Sequence, residues 1–143
     1  MRQLAAALLS CALFSAVLLA GPATEANAQG YDVSGQAVVD DARSYIGTPY
    51  GANGFTCSGF TSAVFADRGV YLPGTPEAQY AYGTPSNGKA GDLVFFNEHG
   101  YGISHVGIAT GHGTVIHSST YYGAVVETPI KYIPGYVGAV DAY

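Results

Sequence analysis

The sequence is poor in positive charge and in cysteine, and each shortage excludes something. Five lysines and arginines stand against ten aspartates and glutamates in 143 residues, for a formal net charge of −5. Beyond residue 28 only Arg43, Arg68, Lys89 and Lys131 carry fixed positive charge, and they are scattered. Nucleic-acid binding needs Lys and Arg gathered on one face, so no nucleic-acid partner is expected. Charged residues of both signs make up only 10% of the chain, whereas tyrosine and glycine are abundant. The surface should therefore be built from tyrosines, amides and hydroxyls rather than from ion pairs.

Long apolar runs are missing everywhere except at the start. Met1-Arg2-Gln3 gives a short positive beginning, Leu4 to Ala20 is almost unbroken in its apolar character, and Gly21-Pro22 interrupts it. Ala26-Asn27-Ala28 then supplies small residues at the two positions a signal peptidase reads. This is the pattern of a secretory signal peptide over 1–28, cleaved near Ala28. The apolar run is close to the lower limit of about 17 residues for spanning a bilayer. The small-x-small site favours cleavage, so no retained membrane span is expected. Leu8-Leu9-Ser10-Cys11 faintly resembles a lipoprotein signal, but the apolar run continues past Cys11. The expected location is secreted, periplasmic or in the cell envelope. Residues 29–36 read as a short leader and 37–143 as one domain, large enough for a single core.

Removal of Cys11 with the signal leaves Cys57 as the only thiol. An unpaired cysteine in an exported protein is a dimer link, a reactive thiol or a small buried apolar group. Its surroundings bear on the choice. Ala37, Val38, Ala42, Tyr45 and Ile46 form a helical stripe that Ser34 can cap and that Gly47 and Pro49 end. The following stretch, "GTPYGANGFT", is a loop dense in turn residues. A second helix is expected from Cys57 to about Arg68, with Gly69 after its end. Thr75-Pro76-Glu77 offers a cap, a first-turn proline and an early acid for a short helix over 76–82. The thiol thus sits at a helix N-terminus, where amides and dipole favour a thiolate.

From Asp92 the apolar period changes to two. "DLVFF", "SHVGIAT", "TVIHSS", "AVVETPI" and "YVGAVDA" read as five strands separated by turns. Helices followed by strands predict an α+β fold with an antiparallel sheet. His99 and His112 fall in turns, whereas His105 and His117 fall inside strands. If Gly111-His112-Gly113 is a tight turn pairing Thr110 with Thr114, Gly107 lies opposite His117 and His105 is its diagonal neighbour on the same face. Diagonal neighbours are about 7–8 Å apart, within reach of two imidazoles, and a one-residue slip would separate them. Such a pair reads as a general base and the group that orients it. It also reads as two satisfied, partly buried histidines. With Cys57 it could supply three zinc ligands, but Cys57 has no second ligand nearby and no CxxC is present.

Four motifs taken together resemble a known family. "GTPYGANGFTCSGF", "AGDLVFF", "ISHVGIATGHG" and "VIHSS" occur in order and look like those of the NlpC/P60 cysteine peptidases, which cut bacterial peptidoglycan stem peptides. The resemblance covers about Val38 to Val140. It implies a papain-like α+β fold, with N-terminal helices packed on a five-stranded, largely antiparallel sheet. It implies Cys57 as nucleophile, His105 as general base and His117 as the residue that orients His105. It places Tyr50 beside the active site, Ser58 near substrate, and Asp92 in a structural turn. Thr56 stands where most relatives have an aspartate associated with substrate recognition, and a neutral threonine cannot make that ion pair. The implied activity is hydrolysis of the bond after D-Glu in peptidoglycan stem peptides, with no metal or cofactor. The alternatives are an N-acetylmuramoyl-L-alanine amidase, another thiol amidase or acyltransferase of the same fold, or a non-catalytic wall-binding module.

Overall fold

The computed structural model describes residues 34–143, so the signal peptide and cleavage point expected from the sequence lie outside the described residues. Three short helices come first, each begun by a hydroxyl. Helix α1 spans Gly35–Ser44, and Ser34 Oγ accepts from the amide of Ala37. Helix α2 spans Cys57–Ala66, with Thr56 Oγ1 accepting from Gly59. Helix α3 spans Pro76–Tyr82, with Thr75 accepting from Ala78 and Pro76 in the first turn. Such caps satisfy amides that a helix start leaves without partners.

The strands are β1 (Thr84–Ser86), β2 (Leu93–Phe96), β3 (His105–Ala109), β4 (Thr114–Ser119), β5 (Ala124–Pro129) and β6 (Tyr136–Asp141), with a 3₁₀ turn over Ile130–Tyr132. They form one antiparallel sheet in the order β1-β6-β2-β3-β4-β5. The sheet has six strands where five were expected, and β1 is the addition. It is three residues long and carries Pro85. Proline is tolerated on an edge because one side of the strand needs no ladder bonds. A segment so short has no alternation to read.

The helices cover one face of the sheet. Val38, Val39, Phe60, Val64 and Phe65 pack there against Leu93, Phe95, Val106, Ile108 and Ile116. Each such side chain contributes about 1.5–3 kcal/mol on burial. Val94, Phe96, Ala109 and Val115 point to the other face and form a smaller cluster with Ile130 and Ile133. Asp92, fully buried, closes the turn into β2. Its carboxylate accepts from Ser86 Oγ at 2.7 Å, from the amide of Lys89 at 2.9 Å and from Lys89 Nζ at 2.8 Å.

The β3–β4 hairpin sets the register that matters. Gly111 and Gly113 adopt φ of 84° and 83°, conformations that favour glycine. The amide of Thr110 donates to Thr114 O at 3.1 Å. Ile108 pairs with Ile116 and Ala109 with Val115, and continuing that register puts Gly107 opposite His117. A Cβ at Gly107 would run into Val115 and His117, so the glycine makes room for the imidazole.

Candidate active site

Three elements meet at the start of β3. Helix α2 delivers Cys57 at its first residue, 8% exposed. The Cys57 Sγ lies 3.9 Å from Ser104 O, and the amides of Val106, Ser58 and Cys57 itself turn toward the sulfur. Strand β3 delivers His105 and β4 delivers His117, on the face away from the helices. His105 Nε2 and His117 Nδ1 are 2.9 Å apart and the rings meet edge to face. The other nitrogen of His117, Nε2, lies 3.0 Å from Thr128 Oγ1 on β5. His105 Nδ1 faces Glu98, 3.9 Å from Oε1.

Burial dominates the electrostatics. It pushes the Cys57 thiol up, and the three amides that favour a thiolate only partly offset it. The amides at the helix N-terminus do favour a thiolate, as its position leads one to expect, but burial outweighs them. Burial also lowers both imidazoles. His117 falls to about 4, with His105 beside it as the second cause. His105 is lowered by burial while the nearby Glu98 carboxylate pulls it back up. These shifts keep the thiol and both imidazoles neutral near pH 7.

A cleft of about 470 Å³ opens on the histidine side. His105, His117, Thr128 and Glu98 line its inner part, and Tyr121, Tyr122 and Tyr132 stand at its rim. Cys57 itself does not line it, and neither do Tyr50, Thr56 and Ser58, expected near substrate. Ser58 is buried and its hydroxyl donates to Gly74 O at 3.0 Å. Thr56 is exposed, with its oxygen committed to capping α2. Tyr50 is partly buried and its amide donates to Gly123 O at 2.9 Å. His99 and His112 are exposed in turns. Sequence reasoning missed Glu98, Thr128 and the tyrosine rim. For Thr128 a signal existed: it is a polar residue on β5 that pairs with Val115, diagonal to His117 and on its face. Among the described residues no group of three or more His, Cys, Asp or Glu side chains is placed to hold a metal ion.

Residues 43–134 match the NlpC/P60 family model. The chain belongs to the NlpC/P60 family. It is 43% identical to a probable endopeptidase of Corynebacterium glutamicum, over 83% of this chain and 59% of that protein. It is 44% identical to a γ-DL-glutamyl hydrolase of Bacillus subtilis, over 57% of this chain and 22% of that protein. Among solved structures it resembles the NlpC/p60 domain of the peptidoglycan hydrolase SagA, with a TM-score of 0.67 and 37% identity, over 76% of this chain and 99% of that one. The chain thus spans about three-fifths of the Corynebacterium relative and about a fifth of the Bacillus one.

Proposed function

We propose that the chain is a secreted cysteine endopeptidase that hydrolyses peptidoglycan stem peptides at the γ-D-glutamyl bond to the diamino acid. The observation that carries this reading is the contact of His105 with His117 beside a buried, unpaired Cys57. Names of relatives support the substrate class: a peptidoglycan hydrolase in one case, a γ-DL-glutamyl hydrolase in another.

The chemistry follows from the site. His105 Nε2–H donates to His117 Nδ1, which leaves His105 Nδ1 free as a base. His117 then carries its own proton on Nε2 and donates it to Thr128 Oγ1. With His117 lowered to about 4, that ring stays neutral near pH 7 and remains an acceptor. Because thiol and base are both neutral at rest, the Sγ–H proton moves to His105 Nδ1 as sulfur attacks the carbonyl carbon. The oxyanion is held by backbone amides at the start of α2, that of Cys57 among them. The imidazolium gives its proton to the leaving amine, the C–N bond breaks and a thioester remains. Water then loses a proton to His105 Nδ1 and attacks the thioester. A carboxylate product leaves and the thiol is restored. His117 orients the base throughout, the part a carboxylate or amide plays in other triads.

The reading is tested by incubating the purified protein with defined muropeptides and assigning fragment masses. Cleavage between D-Glu and the diamino acid supports it. Release of the whole stem peptide from the glycan would make the chain an amidase instead.

A further inference from the structure

The cleft has a wall that the peptide hydrolysis proposed above does not use. Its rim is formed by the β4–β5 turn at Ser119–Tyr122 and by Tyr132–Pro134 after β5. Tyr121, Tyr132 and Tyr122 are 87%, 65% and 52% exposed there. Tyr121 and Tyr122 meet edge to face with centroids 4.9 Å apart. The rim is preformed. The amide of Tyr122 donates to Ser119 Oγ at 3.2 Å and that of Gly123 to Ser119 O at 2.9 Å. On the other side the amide of Ile133 donates to Ile130 O at 3.1 Å, and both isoleucines pack on the smaller core cluster. Rigid rings held in water at a cleft mouth cost exposed apolar surface, and clustered exposure of this kind marks a contact surface.

Charge narrows the occupant. Among the described residues, Glu98 is the one charged side chain lining the cleft, beside His105, and no lysine or arginine lines it. A pocket for a carboxylate-bearing peptide end, or for a polymer of acidic residues, would need a cation. The wall offers phenol rings, the hydroxyls of Ser119 and Thr120, and Pro134. That combination suits a neutral ligand with apolar ring faces and a fringe of hydroxyl and amide groups. An N-acetylated sugar has this chemistry: its C–H face stacks on a phenol ring while its hydroxyls and acetamide take hydrogen bonds. The volume of about 470 Å³ falls within the usual range of about 300–1,000 Å³ for small-ligand sites.

We propose that the tyrosine-walled cleft is a subsite for a neutral N-acetylated sugar, so that the enzyme takes stem peptides still attached to glycan in preference to free peptides. This rests on the peptidoglycan reading above and deepens it. The test compares a disaccharide tetrapeptide with the same tetrapeptide lacking sugar. Wild type and the double variant Tyr121→Ala/Tyr132→Ala are assayed on both, with kcat and KM read separately by mass spectrometry. Both rings are exposed, so their removal opens no core cavity, and thermal melting checks that the variant is folded. The wild type is expected to favour the disaccharide form at least tenfold. The variant should lose that preference through a raised KM on the disaccharide form. Equal wild-type rates on both substrates, or an equal loss on both in the variant, would overturn the subsite while leaving the peptidase reading intact. A wild-type chain that cuts neither substrate would overturn both.

Discussion

His117 bridges His105 and Thr128: its Nδ1 lies 2.9 Å from His105 Nε2 and its Nε2 lies 3.0 Å from Thr128 Oγ1. The three side chains come from three adjacent strands, and all are at least nine-tenths buried. Water therefore cannot easily replace a missing partner.

Thr128→Val keeps the shape of the side chain but removes that last acceptor. A buried donor left without a partner costs about 1–3 kcal/mol, and the tautomer of His117 that accepts from His105 is the one penalised. Turnover should fall about tenfold, mostly in kcat. Thr128→Ser should restore most of it. A purely structural role would give equal losses of stability in the two variants and no such rescue in kcat.

Glu98 should set the acidic limb of the pH–rate profile. The base must be neutral to take the thiol proton, so activity falls as His105 becomes protonated. The carboxylate favours the imidazolium and pulls the His105 pKa up against burial. Glu98→Gln removes that pull, so the acidic limb of kcat/KM should move to lower pH. A limb that stays in place or moves up would assign it to another group.

Stability should fall in acid on account of His117. Its folded pKa of about 4 lies below the unfolded value of about 6.5. Between those values the unfolded chain binds a proton that the folded chain does not, so unfolding is favoured as pH falls. The contribution is fully present above pH 6.5 and is lost progressively toward pH 4. His117→Gln should flatten this part of a melting temperature–pH curve measured between those limits.

Thr56 and Ser58 should separate from the chemistry. Thr56→Ala loses the α2 cap and should cost about 0.5–2 kcal/mol, whereas Thr56→Asp keeps a capping oxygen and should melt close to wild type. Ser58→Ala loses the bond to Gly74 and should lower stability by about 1 kcal/mol with little change in KM. Urea denaturation and steady-state kinetics on the same preparations measure both effects.

Much of the fold was legible because local signals agreed with one another. Thr75-Pro76-Glu77 marks the start of α3, and the two glycines flanking His112 fix the hairpin register. That register, with Gly107 opposite His117, brings the imidazoles together. Other features depend on packing that no local pattern encodes. β1 exists because Thr84–Ser86 finds an edge on β6, not because Thr-Pro-Ser favours a strand. The Cys57 position suggests a stabilised thiolate, but how deeply the sulfur is buried depends on Ser104 and Val106, nearly fifty residues away. Ser58 follows Cys57 in sequence, yet its helical rotation turns the hydroxyl to Gly74. Glu98 reaches the site only through the fold of the loop between β2 and β3, where its amide binds Ser104 Oγ at 3.1 Å.

If Cys57 attacks the stem peptide with His105 as its base, removing the thiol must abolish cleavage. The most direct measurement is the rate at which purified Cys57→Ala digests defined muropeptides, compared with wild type under the same conditions and with folding checked by melting temperature. The folded variant is expected to show no detectable cleavage. Digestion at the wild-type rate would contradict that mechanism.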